Sequence, residues 1–529
     1  MTLAAAAPHA LSAPPVQFPA QPVVQSVVQS VDWLAIAPPT IAAVAALLIL
    51  VADLFVAERK KTLLGYAAVA ALAVALLSLV PLRTADRATF CLTTAPDVCS
   101  YTVDRFTLVI QFLVLGGALV TALLSVTETR KRLPAGEYWF LLLSSAAGAA
   151  LLPAARDLAT LVVALEVASL PAFALVGMRR GDRMSSEAAL KFFLSSVTAT
   201  AVMLLGVSFV YATTGSLHLT RIAARMDDVP GRLDTLAAAG VALTLVGFAF
   251  KTAAVPFHFW VPDTYVGAPL PVAAYLSVIG KAVGFSGLIL VTVIAFPAHA
   301  GVWGPVVAVL AALTMTAGNV AAVRQSPTRA HSAVRLLAWS SVGQAGYILV
   351  PVAASAWSGD VPIGATVAYA LMYAVVNLGA FAVVALVART KPLNRIADYR
   401  GLYATRPAAA LALGFFLLCL AGLPPGVIGL FAKVAVFSTA VDAGLGWLAV
   451  VMAVNVVIAL YYYLQWTAQL FRAPHEAPAP AAAPLQDGSP AGRRGPALVT
   501  TAIVLTAAAG VVLSGWPQLV LRFAAIDLF

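Results

Sequence analysis

Runs of about twenty apolar residues, the length a helix needs to cross the hydrocarbon core of a bilayer, recur along almost the whole chain. Of its 529 residues 61% are hydrophobic and only 10% charged, whereas soluble domains carry about 25% charged residues. Mean hydropathy is +0.94. Lipid offers no hydrogen bonds, so the backbone of each run must satisfy itself within the segment. An all-α polytopic membrane fold follows.

Fourteen segments qualify as spans: 33–56, 62–82, 104–127, 137–155, 157–178, 187–214, 234–255, 267–296, 301–323, 334–355, 363–388, 407–437, 444–471 and 497–521. The fourth and fifth are separated only by Pro153 and the Arg156-Asp157 pair. The long twelfth is interrupted by Pro424-Pro425-Gly426. Positive charge tests the count, because cytoplasmic loops carry the excess of Lys and Arg. With the N-terminus outside, the cytoplasmic loops hold twenty of the 32 Lys and Arg residues, in clusters such as Arg59-Lys60-Lys61 and Arg130-Lys131-Arg132. The outer loops hold eight. An even number of spans places both termini on the outer side of the membrane.

The chain then divides into an N-terminal extension (1–32), spans 1–3 (33–127), spans 4–8 (137–296), spans 9–13 (301–471), an Ala/Pro-rich cytoplasmic linker (473–495) and span 14 (497–521). The extension lacks the basic start of a signal peptide. The linker has the composition of a flexible tether. The net charge of +10 does not indicate nucleic acid, because it is spread over short interhelical clusters and no basic domain exists. Of three cysteines, Cys91 and Cys99 share an outer loop, where a disulfide is permitted; two free thiols is the competing reading. Cys419 lies within a span. No CxxC or Cys/His cluster provides an iron–sulfur or zinc site.

Four cations remain once the loops are counted: Lys191, Lys251, Lys281 and Lys433. A charge at the bilayer centre costs about 2.5–3.5 kcal/mol on insertion scales. Each amine must therefore be neutral, paired or hydrated. Lysine exchanges its proton readily when buried, whereas arginine stays charged, so a row of lysines meets the requirement of a proton relay. The plainer reading is snorkelling or a static ion pair. It has most weight at Lys191, four residues after Glu187. Glu166, in the middle of span five, is the candidate counter-ion; Lys191 is the expected partner. His258 titrates near neutrality and follows Lys251 by about two helical turns, though a lone histidine among aromatics is often a packed core residue. Pro256 should break that helix. A Lys beside an interrupted helix recurs at Lys433, after Pro424-Pro425-Gly426. Broken helices at corresponding places in two halves mark transport sites. This favours two inverted five-helix repeats, spans 4–8 and 9–13, with helices 7 and 12 broken.

Three stretches carry a resemblance. They are Gly247-Phe248-Ala249-Phe250-Lys251 through Pro256-Phe257-His258-Phe259-Trp260-Val261-Pro262-Asp263 to Lys281; Glu187-Ala188-Ala189-Leu190-Lys191-Phe192-Phe193; and Arg335-Leu336-Leu337-Ala338-Trp339-Ser340-Ser341-Val342-Gly343-Gln344. Together they resemble the antiporter-like membrane subunits of respiratory complex I, the proton-pumping NADH:quinone oxidoreductase, and of Mrp-type cation antiporters. The Pro-Asp-x-Tyr-x-Gly-Ala-Pro form at 262–269 and a lysine at 433 are similar to the subunit N branch. The resemblance implies a proton relay of Glu166, Lys251, Lys281 and Lys433, with Lys191 and His258 auxiliary. It implies quinone reduction elsewhere in the complex as the driving reaction, and other membrane-arm subunits and the lipid bilayer as partners. No nicotinamide, flavin or quinone motif is visible, so no cofactor is expected in this chain. Val266 and Gln344 depart from the pattern, where Glu and His are frequent. A standalone sodium/proton antiporter subunit and a non-pumping structural spacer are the alternatives.

Overall fold

The protein is seen in a computed structural model that describes residues 31–93, 95–129, 133–358, 363–474, 497–525 and 528–529. Nearly all of the N-terminal extension, the Arg130-Lys131-Arg132 cluster and most of the 473–495 linker lie outside the described residues. The fold is almost entirely helical. Among the described residues twelve helices are long and apolar enough to cross a membrane. Two shorter apolar helices, Ala37–Asp53 and Pro407–Ala421, fall at the first and twelfth expected spans.

The chain opens with α1 (Ala37–Asp53) and α2 (Thr62–Leu77). A hairpin follows, β1 (Arg87–Leu92) and β2 (Ala95–Val103), antiparallel and joined by the Cys91–Cys99 disulfide. Next come α3 (Arg105–Thr129), α4 (Ala135–Leu151), α5 (Leu158–Val176) and α6 (Arg183–Thr214). Asp157 starts α5 by accepting from the Thr160 backbone N–H at 2.7 Å, the local bonding expected of an N-cap. The hairpin is stitched to that start: the Arg156 N–H donates to the Ser100 carbonyl at 2.9 Å, and the Arg156 guanidinium is paired with Asp104 in a buried contact.

The first half ends with the short α7 (Leu219–Met226), α8 (Asp234–Thr252), α9 (Trp260–Gly267), α10 (Leu270–Tyr275) and α11 (Lys281–Ile289). Leu276–Gly280 and Leu290–Ala295, on either side of α11, are π-helical. Such wide turns concentrate at functional sites. The second half runs α12 (Ala300–Val323), α13 (Ser332–Ala354), α14 (Ile363–Ala388), a single turn α15 (Leu402–Thr405), α16 (Pro407–Ala421), α17 (Val427–Asp442), α18 (Gly446–Phe471) and α19 (Ala497–Gly515).

Lipid is as apolar as a leucine side chain, so close backbone approach and polar contacts hold such helices together. Almost every residue of α13 and α14 is buried, which makes them the centre of the bundle. α6 and α17 turn leucine, valine and phenylalanine outward. A Cβ on Gly148 of α4 would stand 2.4 Å from the Ala168 nitrogen of α5. Ser145, one turn earlier, donates to the Ala168 carbonyl at 2.6 Å. The two helices are thereby pinned two residues from Glu166.

Candidate functional site

Both predicted breaks are present, and they have the same construction. α8 ends at Thr252, with Ala253 in the left-handed region (φ 67°). The Ala254 N–H reaches back to the Ala249 carbonyl at 2.9 Å. α16 ends at Ala421, with Gly422 at φ 85°, and the Leu423 N–H reaches the Leu418 carbonyl at 2.9 Å. These are Schellman-type ends. Each is followed two residues later by a cis X-Pro bond, Val255–Pro256 and Pro424–Pro425. A second short helix then resumes, α9 or α17.

Helix ends of this kind leave carbonyls without intrahelical partners. Two of the four lysines supply them. Lys281, 1% exposed, donates to the Thr252 carbonyl at 3.4 Å. Lys433 donates to the carbonyls of Leu420 at 2.7 Å and Ala421 at 2.9 Å. A cation at a helix C-terminus is favoured by the backbone dipole by about 0.3–2 kcal/mol. A hydrogen bond from a charged donor adds about 1.5–3 kcal/mol. For Lys433, with two such bonds, these gains match or exceed the insertion cost of about 2.5–3.5 kcal/mol. The sequence paired Lys433 with Lys251; by the acceptor used, its counterpart is Lys281.

Glycines permit the approach. Gly284, one turn after Lys281, lies so close to α8 that a Cβ would stand 2.3 Å from the Thr252 nitrogen. Gly429, one turn before Lys433, lies so close to α16 that a Cβ would stand 1.7 Å from the Cys419 oxygen.

Lys251 is buried differently. Its ammonium lies 5.0 Å from the centre of the Phe192 ring, 5.1 Å from Phe173 and 5.9 Å from Phe250. Cation–π attraction at desolvated sites is worth about 2 kcal/mol. Beside it is a cavity of about 20 Å³, lined by Ser145, Lys251, Tyr275 and Gly280 among others. That is room for about one water, placed between Lys251 and the π-helical turn that leads into Lys281. Glu166 is half-buried on α5 and accepts from Thr200 Oγ1 at 2.8 Å.

Lys191 does not meet Glu166. Its ammonium is 2.7 Å from Glu187 Oε1 and 2.9 Å from Asp263 Oδ2, with the side chain 48% exposed. Asp263 also contacts Arg335 at 3.3 Å. The reason is local: Glu187 is on the same face of α6 one turn away, and α9 delivers a second carboxylate. His258 lies in the first break, its ring 5.6 Å from that of Trp339. Thr264 Oγ1 is buried without a protein hydrogen-bond partner among the described residues. Polar atoms at membrane depth in that situation are satisfied by water.

A group of neutral polar side chains lies on α13, α14 and α18, and of these the sequence singled out only Gln344. On α14, Tyr373 donates to the Ser277 carbonyl at 3.1 Å and Asn377 to Ser277 Oγ at 2.6 Å; Ser277 is one turn before Lys281. Tyr369 donates to Gln344 Oε1, and Gln344 Nε2 donates to Tyr463 at 3.1 Å. Tyr347 stacks on Tyr369 at 5.9 Å, and the Lys433 ammonium lies 5.8 Å from its ring. The available signal was the density of Tyr, Asn and Gln in α13 and α14, whose apolar composition masked it.

Amines set at two helix breaks within an apolar bundle, with polar groups between them, define a membrane protein of the ion-translocating class. The family model described as the transmembrane region of NADH:quinone oxidoreductase and Mrp antiporters matches residues 155–459. The chain is 78% identical over 507 residues to NADH-quinone oxidoreductase subunit N 2 of Streptomyces griseus, covering 95% of each chain. It is 46% identical over 458 residues to the subunit N of Salinispora tropica, covering 84% of this chain and 86% of that one. Among solved structures it resembles a chain of respiratory complex I from Thermus thermophilus with bound aureothin, at TM-score 0.71 and 32% identity over 93% of this chain and 100% of that one. The Mrp complex of Dietzia shares the fold, at TM-score 0.78 and 23% identity over 93% and 96%. The chain belongs to the NADH:quinone oxidoreductase/Mrp antiporter family and, within it, to the subunit N group.

Proposed function

We propose that the chain is a proton-translocating subunit in the membrane arm of a bacterial NADH:quinone oxidoreductase. Its relatives carry the name of that enzyme. The observation that carries the reading is the pair of buried ammonium groups, Lys281 and Lys433, each seated on the open carbonyl end of a broken helix. A lysine there exchanges a proton while the carbonyls and the helix dipole hold its place.

Glu166, Lys251, His258, Lys281 and Lys433 form the relay in this reading, and Lys191 is auxiliary at its edge. Protons are taken up from the cytoplasmic side and released outside. The charge state of each amine biases that of its neighbour, because interactions between charges are strong where the dielectric is low. Quinone reduction elsewhere in the complex supplies the drive. The chain holds no cofactor of its own, its partners are the other membrane-arm subunits and the bilayer, and both termini face outward.

Reconstitution of the whole complex with Lys251→Ala tests this. A large loss of proton uptake per electron, with quinone reduction still measurable, is the expected result. An unchanged ratio removes this chain from the proton path.

A further inference from the structure

On α13, in the middle of the bundle, Gln344 hydrogen-bonds through both ends of its carboxamide. Gln344 is 2% exposed, and Tyr369 and Tyr463 are fully buried. Its carboxamide oxygen accepts from Tyr369 and its nitrogen donates to Tyr463; Tyr463 is in turn 2.5 Å from Ser340 Oγ. Tyr369 faces the Lys433 side through the stacked ring of Tyr347. One turn along α14, Tyr373 reaches Ser277, on the Lys281 side.

Side chains that hand protons on are acids and bases such as His, Asp, Glu, Lys, Tyr and Cys. A carboxamide donates through nitrogen and accepts through oxygen, and it passes no proton from one to the other without becoming a high-energy imidic acid. The result is the same whichever way round the amide sits. The hydrogen-bonded run Tyr369–Gln344–Tyr463–Ser340 is therefore interrupted for proton hopping at Gln344.

We propose that Gln344 is a proton break at the middle of the membrane. It keeps the Lys281 half and the Lys433 half in electrostatic contact while no proton crosses between them at this point. The proposal rests on the relay reading above. It gives the pump something it requires: a relay that conducted without interruption from one face to the other would dissipate the gradient that alternating access builds.

The test compares the parent complex with Q344E and Q344L in proteoliposomes. Both variants disturb the tyrosine contacts; only glutamate adds a proton carrier. The decay of an imposed pH gradient across the resting complex measures leak, and NADH-driven uptake measures protons per electron. Q344E is expected to leak about tenfold faster than Q344L or more, with a lower proton-to-electron ratio. Equal leak and equal ratio in the two variants overturn the proposal. Where neither assembles, Tyr369→Phe decides. A ratio above half the parent value supports the break. A ratio below half overturns it, because the lost hydroxyl was then carrying protons across. K433A separates this from failure of the wider reading: an unchanged ratio there removes the relay itself, whatever Gln344 does.

Discussion

Lys281 and Lys433 come from different kinds of helix and meet the equivalent atom of two helix ends. Each sets its ammonium against the carbonyl of the last helical residue before a break, Thr252 or Ala421. Lys281 reaches it from the helix that follows the interrupted one. Lys433 reaches it from the second half of the interrupted helix itself. The shared contact indicates that the site to be filled is a helix terminus, with the lysine supplied from whichever backbone lies within reach.

Charge and proton exchange can be separated at Lys433. Arginine keeps the cation and the donors but does not release a proton in proteins. Lys433→Ala leaves two carbonyls unpaired, at about 1–3 kcal/mol each, and should lower both the melting temperature and the proton-to-electron ratio. Lys433→Arg should restore much of the melting temperature and little of the ratio. Thermal melts of the purified complex, alongside proteoliposome uptake, distinguish the two; equal recovery of both quantities assigns Lys433 a structural role only.

The glycines at the breaks should be intolerant of side chains. Gly284→Val or Gly429→Val forces apart helices whose backbones are in contact. Overpacking of this kind costs about 1–3 kcal/mol and often more. Reduced yield of assembled complex and a lower melting temperature are expected. Gly116→Ala provides the control, since nothing lies within 4 Å of its added Cβ. A control as damaging as the two break variants contradicts the packing argument.

Lys191 belongs to a half-exposed cluster with Glu187, Asp263 and Arg335. Ion pairs in such settings contribute about 0–1 kcal/mol. Lys191→Ala should therefore change stability little and reduce proton uptake less than Lys251→Ala. Parallel assays of the two variants check the order, and the reverse order would place Lys191 at the centre of the relay.

The hairpin predicts a thiol count. Denatured without reductant, the chain should expose one cysteine to a maleimide reagent, Cys419, because Cys91 and Cys99 are joined. After reduction all three should label. Three labels before reduction exclude the bridge.

The membrane class and the positions of the deep lysines were legible because lysine is conspicuous in an apolar run. So were the breaks, since Pro256 and Pro424-Pro425 interrupt helices whatever surrounds them. The hairpin was not anticipated, although Val98, Tyr101, Thr102 and Val103 have the branched and aromatic character of a strand; it was read as an outer loop between spans. The partner of Lys191 was misjudged because the competing carboxylate, Asp263, arrives from 72 residues away. The tyrosines of α13 and α14 were unreadable for a different reason. By composition tyrosine passes for packing, and only the fold shows which hydroxyls face one another.

The contact between Gly148 and Ala168 limits how any signal can travel through this end of the bundle. The Gly148–Ala168 approach and the Ser145 hydrogen bond resist sliding of α5 along α4, two residues from its carboxylate. In the relay proposed above, a change at Glu166 is then carried by the field or by a side chain rather than by sliding of α5 along α4.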